Sequence, residues 1–190
     1  MRSEEELIVL ARLADDETPA YRHDPSLQAR QATPADATLY ARAVGTESAR
    51  TFTHRLTSST HCFLVLSGPE LLHASWVTMA TAWTRELRAC IAPPPGDAYV
   101  YESFTRAEAR GRGVYPFALG GICVWAAGHG LGSVWVAVDS SNEPSRKAIG
   151  KAGFEPRYTI RYGRRLGRLS LSVEAPPGGT IPSLTRNCRG

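Results

Sequence analysis

The chain has 190 residues, 43% apolar and 21% charged. That suits one domain with a sizeable core and excludes wholesale disorder, and no apolar run approaches the ~18 residues of a membrane span. The net charge of +4 comes almost entirely from arginine, 20 of the 22 basic residues, with Lys147 and Lys151 the only lysines; because the excess is spread along the chain and dense only at Arg106–Arg112 and Arg157–Arg168, a nucleic-acid partner is disfavoured.

The apolar run Glu6–Leu13 has the character of a strand, and Asp15–Ser26, polar with two prolines, reads as a connector. Leu27–Ala32 predicts a second strand. In the segment that follows, TPADATLYARAVG, Thr33 suits a helix cap, Pro34 its first position and Asp36 its first turn, with Gly45 as the stop. Glu47–Leu56 predicts a second short helix. His61–Ser67 and Leu71–Met79 flank Gly68-Pro69 and predict a hairpin. Ala80–Cys90 is ambiguous, with a strand as one option, and Ala92–Asp97 is a loop by composition. Ala98–Thr105 is aromatic and β-branched, as a central strand would be. Val114–Gly128 predicts a buried helix, apolar nearly all round. Ser133–Val138 predicts a covered strand, Glu143–Ala152 a helix, and Phe154–Tyr162 with Leu166–Val173 a closing hairpin. The division expected is an extension over residues 1–26 with an added strand, a domain over 27–174, and a Pro/Gly-rich tail over 175–190 that frays. The order of elements gives a mixed α+β layer with one crossover.

The four cysteines, at 62, 90, 123 and 188, form no CxxC pair and no cluster with histidine. They are expected to be reduced thiols and no metal is expected. Three glutamates precede the first apolar run, unlike a secretory leader, so a cytoplasmic location is expected.

The most informative stretch is Arg110-Gly111-Arg112-Gly113-Val114-Tyr115-Pro116. Proline is tolerated only in the first turn of a helix, so a helix must begin near Gly113. Two glycines and two arginines then stand at the N-terminus of a buried helix, where free N–H groups and the dipole favour an anion. The plain alternative is a tight strand–helix turn with its arginines in solvent. Neither a dinucleotide fingerprint nor a Walker loop fits this spacing.

Thirty residues on stands VDSSNEPSRKAIGKAGFE. Arg110, Gly113 and Tyr115 after a strand, then Asn142, Ala148, Gly153 and Phe154 after the next, together resemble the GNAT (Gcn5-related N-acetyltransferase) superfamily, and the opening QATPADATLY is similar to its first strand and helix. The likeness covers about residues 27–173. It implies an α+β fold with a mixed, mostly antiparallel central sheet, flanked by helices and splayed between its two central strands. It implies an acyl-CoA donor, expected to be acetyl-CoA, with its diphosphate on the backbone of Arg110, Gly111, Arg112, Gly113, Val114 and Tyr115. The pantetheine would pair with the backbone around Phe104, Thr105 and Arg106, and Asn142 would reach it from the second strand. Two departures stand out. Tyr115 replaces a small residue, and Ile149 occupies the place where the family often has an acidic tyrosine.

Acyl transfer to an amine needs a base or water chain, polarisation of the thioester carbonyl and a proton for the leaving thiolate. Glu102, in an otherwise apolar strand on the face of Val100 and Phe104, is the candidate base. Desolvation there would raise its pKa; the alternative is a carboxylate paired with arginine. The Phe104 N–H is expected to polarise the thioester. Ser145 is the nearest hydroxyl for the acid, with helix capping as the alternative, and Tyr101 and Tyr115 are further options. His61 and His73 are candidates for an acceptor pocket or plain polar surface, while Trp76, Trp83 and Trp125 read as core. The reading is an N-acyltransferase acting on the primary amine of a small molecule in a ternary complex. The alternatives are a non-catalytic CoA-binding module or, further off, a basic nucleic-acid binder. No membrane partner is expected, and a homodimer paired through edge strands is possible.

Overall fold

The computed structural model describes residues 5–165, 168–175 and 180–185. A nine-residue strand, β1 (Glu5–Leu13), opens it, and a connector leads to β2 (Leu27–Gln31). Thr33 is extended and donates its N–H to the Asp36 carboxylate at 2.8 Å, and Pro34 starts a 3-10 turn that runs into α1 (Ala37–Val44). Ser48 caps α2 (Ala49–Arg55) by accepting the Thr51 N–H at 3.0 Å. The expected hairpin follows as β3 (Thr60–Ser67) and β4 (Glu70–Thr78). The ambiguous stretch after it folds into a second, small hairpin, β5 (Ala82–Thr84) and β6 (Ala89–Ala92). Then come β7 (Ala98–Thr105), α3 (Val114–Gly128), β8 (Ser133–Asp139), α4 (Glu143–Lys151), β9 (Glu155–Arg165), β10 (Arg168–Glu174) and β11 (Ser183–Thr185).

Eight strands form one mixed sheet in the order β10-β9-β1-β8-β7-β4-β3-β2. Its neighbours are antiparallel except β7 and β8, which are parallel and joined through α3. β1 lies inside this sheet: Leu7 faces Asp139 of β8 on one side and Ile160 of β9 on the other. The expected extension therefore supplies an interior strand, its edges paired by β8 and β9 and its faces covered by the layers on either side, Leu10 on one and Val9 and Ala11 on the other. β5, β6 and β11 make a separate three-stranded sheet, with Leu184 opposite Ile91. Part of the stretch expected to fray is thus a paired strand; residues 176–179 and 186–190 lie outside the described residues.

One core packs α3 and α4 on the sheet through Leu119, Ile122 and Ile149 against Val100 and Val136. The opposite face is closed by α1 and α2, where Tyr40, Phe52 and Trp76 cluster and the Trp76 Nε1–H donates to the Tyr40 hydroxyl at 2.9 Å. Arg12, at the end of β1, is buried at 2% exposure. It donates to the Ala152 carbonyl at the end of α4 (3.0 Å), to the Asp16 carbonyl and to the Thr18 hydroxyl. The connector is thereby strapped to both helices: Pro19 packs on Gly153, and Thr18 and Tyr21 on Gly120. Cys62 and Cys123 are free, and burial pushes both thiols up, Cys123 to about 11. Cys90 is disulfide-bonded, which corrects the expectation of four reduced thiols. Among the described residues no helix is long and apolar enough to cross a membrane.

Candidate active site

β7 and β8 pair only at Ala98–Val134, Tyr99–Trp135 and Val100–Val136. Past Val100 they diverge. The cause lies in β7, where Glu102 takes a left-handed φ of 47° and the register with β4 slips between Ala74–Phe104 and Trp76–Tyr101. Two residues there face one, a β-bulge that bends the strand away from its parallel neighbour. A cleft of about 1030 Å³ opens in the splay and runs to the N-terminus of α3.

Gly111 and Gly113 have φ of 75° and 76°, and Gly113 caps the helix. The Arg110 N–H donates to Ala107 and the Phe117 N–H to Gly113. Among the described residues no partner takes the N–H groups of Gly111 through Tyr115. The arginines divide. Arg110 lines the cleft. Arg112 turns to Asp24 of the connector at 2.5 Å; the Ser26 backbone and side chain, then Arg112, hold that carboxyl down at about 2. Arg106 pairs with Glu70 (2.6 Å) and Glu108 (2.7 Å). Two further cations that sequence reasoning passed over, Lys147 and Lys151 of α4, line the cleft. Their signal was available: the only two lysines stand four apart on one helix face.

Of the β7 residues expected beside a pantetheine, Thr105 lines the cleft. The Arg106 N–H donates to Leu72 of β4 at 3.0 Å. Ladder bonds alternate, so the Phe104 N–H also faces β4, while Ser103 and Thr105 turn theirs toward the open splay. Ser103 and Thr105 line the cleft, whereas Phe104, Arg106 and Arg112 do not.

Glu102 lines the cleft, but it is not desolvated: its side chain is 57% exposed and is held by Arg55 of α2 at 2.6 Å. The paired-carboxylate alternative describes it. Arg55 also binds Glu47 at 2.9 Å and lies 3.9 Å over the Trp76 ring. Burial pulls its guanidinium down, but the hydrogen bonds it donates to Tyr101 and Glu47 outweigh that and keep it charged. Asn142 caps α4, its Oδ1 accepting the Ser145 N–H at 3.2 Å, and both residues line the cleft. Ile149 is buried in the cleft wall and offers no proton. Neither histidine lines the cleft. His61 packs on Trp125, and His73 is wholly buried behind Tyr115, whose ring stacks on it at 5.1 Å. Trp83 is not core: it is 52% exposed at the cleft rim beside Arg85 and Glu86.

No family model matches the chain, and no curated protein sequence does either. Solved structures do resemble it. A GCN5-related N-acetyltransferase from Sphaerobacter thermophilus superimposes with a TM-score of 0.60 at 16% identity, covering 90% of this chain and 52% of the other. This chain thus spans about half the length of that protein. An aminoglycoside acetyltransferase from an uncultured soil metagenomic sample, in complex with trehalose, gives 0.54 at 10% identity, over 68% of this chain and 88% of the other. The aminoglycoside N-acetyltransferase AAC(6')-Iy, in complex with a bisubstrate analogue, gives 0.53 at 12% identity, over 68% and 90%. At these identities the likeness is one of fold.

Proposed function

We propose that this chain, which has the GNAT fold, is an acyl-CoA-dependent N-acyltransferase that moves acetyl from acetyl-CoA to the primary amine of a small molecule by direct attack in a ternary complex. The observation that carries the reading is the splay: two parallel strands part after three paired residues, and the cleft between them leads to free N–H groups at a helix N-terminus. An extended pantetheine fits the first feature and a diphosphate the second. In this reading the Ser103 and Thr105 N–H groups pair with the pantetheine arm, and Ser103 polarises the thioester carbonyl. Gly111 through Tyr115 hold the diphosphate, with Arg110, Lys147 and Lys151 supplying charge and Asn142 a free amide. The acceptor enters from the end bounded by Trp83, Glu86, Tyr101 and Glu102, where carboxylates and aromatic rings suit a cationic amine.

Calorimetric titration with acetyl-CoA tests the donor. The wild type is expected to bind in the micromolar range, and Arg110→Glu about tenfold more weakly, on the order of 1.4 kcal/mol. Arg110 is the appropriate target because it is exposed. A Cβ on Gly113 would stand 2.8 Å from the Arg22 carbonyl and displace the connector instead. Absence of binding by the wild type would end this reading. Ile149 in the cleft wall favours a second one, a module that holds CoA without catalysis; thiol release with a panel of primary amines separates the two. Because Glu102 is exposed and ion-paired, Glu102→Gln should raise KM for the amine about five- to tenfold and leave kcat nearly intact, a loss of binding shared by ground and transition states. A collapse of kcat would restore Glu102 as the base.

A further inference from the structure

Behind the cleft wall lies a hydrogen-bonded chain that none of the roles above uses. Thr105 Oγ1 is 2.7 Å from His73 Nδ1, His73 Nε2 is 2.7 Å from Ser75 Oγ, and Ser75 Oγ is 2.7 Å from Ser103 Oγ. The Tyr115 ring stacks on His73, and its phenol lies beside Ser103 at the cleft end of this chain. His73 and Ser75 are fully buried, whereas Thr105, Ser103 and Tyr115 all line the cleft. The chain therefore begins and ends at the same cavity and passes through the core between. Each hydroxyl both donates and accepts, and a neutral imidazole donates from one nitrogen and accepts at the other, so the chain has two equivalent polarities.

We propose that Tyr115 is the acid–base residue of this cleft and that Ser103, Ser75, His73 and Thr105 form the proton relay behind it. This rests on the acyltransferase reading. As the amine nitrogen bonds to the thioester carbon, it gives a proton to the Tyr115 oxygen. The Tyr115 proton moves to Ser103, that of Ser103 to Ser75, that of Ser75 to His73 Nε2, and the Nδ1 proton passes to Thr105, which releases its own to cleft water. When the C–S bond breaks, the same path runs backwards. Thr105 takes a proton from water, His73 returns to its first tautomer, and Tyr115 delivers its proton to the thiolate. One proton leaves the amine, one reaches sulfur, and no charge resides in the core at any stage. Burial keeps the phenol above its ordinary range and the imidazole far below its own, so both stay neutral near pH 7. Of the other hydroxyls on the cleft, Ser145 has no hydrogen-bonded chain behind its side chain among the described residues, and Tyr101 lies against the Arg55 guanidinium.

Two measurements test this. In thiol release from acetyl-CoA with the amine acceptor found in the panel, Tyr115→Phe and Ser103→Ala should each lower kcat about a hundredfold with acetyl-CoA affinity held within about twofold. The double variant should be no worse than either single, because a broken chain is not broken further, and Ser103→Thr should restore turnover. Multiplicative losses, an active Tyr115→Phe enzyme, or loss of turnover in Ser145→Ala instead would overturn the relay. Second, ultraviolet titration of the thiol of bound CoA needs no acceptor. The Tyr115 hydroxyl should lower that thiol's pKa by about one unit relative to Tyr115→Phe, a tenfold change in its ionisation. Equal values in the two proteins would overturn the proposal. If the wild type fails to bind CoA at all, the acyltransferase reading has failed first, and calorimetry reports that separately.

Discussion

Arg12→Ala is expected to cost the fold about 3 kcal/mol, by leaving two backbone carbonyls without their donor and opening a cavity in the core. Arg12 binds the end of β1, the connector and the end of α4 together, through Asp16, Thr18 and Ala152. For a chain of this length that loss corresponds to a fall in Tm of about 6–12 °C. Chemical denaturation should show a lower midpoint with an unchanged slope, since the native surface is otherwise kept. A second consequence separates this clamp from generic packing. The Arg22 carbonyl and His23 lie directly on Gly113, the cap of α3, and Arg112 is held by Asp24. Loosening the connector should therefore weaken acetyl-CoA binding from a distance. A variant that unfolds earlier but binds acetyl-CoA normally below its transition would confine Arg12 to stability; a drop under about 1 kcal/mol would remove the clamp itself.

Why some of this was legible from the residues and some was not follows from the range of each interaction. Pro116 fixes the start of α3 because its ring excludes all but the first turn, and Thr33 with Asp36 fixes the start of α1 within four residues. Such signals are local and survive in any tertiary setting. The place of β1 is not local: its partners lie more than a hundred residues away, so an apolar run announces a strand but not which strands will flank it. Which β7 N–H groups open onto the splay is hidden from the sequence for a related reason. Side-chain identity says nothing of which N–H faces which neighbour, and here the bulge at Glu102 sets the register. A desolvated Glu102 presupposes an unbroken, alternating strand, whereas the paired-carboxylate alternative needs an arginine from elsewhere in the chain. The bulge exposes it to solvent and to Arg55 from α2. His73, a polar residue in an apolar strand, became informative only when Ser75, Ser103 and Thr105 were placed around it by the pairing of β4 with β7.

That same histidine makes the protein acid-sensitive in a defined window. Burial alone pushes the His73 imidazole down to about 3 from its ordinary 6.5. The unfolded chain therefore takes up a proton as pH falls through about 6.5, while the folded chain refuses it until about 3. Between those values the unfolded state binds more protons, so stability falls as pH falls, with a slope approaching ~1.4 kcal/mol per pH unit from this one group. Asp24 and Asp36, held at about 2, act in the same direction but only below their ordinary 3.8; above pH 4 the half-buried His61, which burial also holds below 6.5, adds a lesser slope to that of His73. Denaturant midpoints measured from pH 7 to pH 4.5 should drop steeply in the wild type. His73→Gln, which keeps a hydrogen-bonding side chain but cannot titrate, should start lower and fall less steeply over the same range, with the slope of His61 left. A variant as acid-sensitive as the wild type would mean that the imidazole finds a charged state the fold can hold. The relay would then have a cationic member and would have to store charge in the core, which a fully desolvated site disfavours.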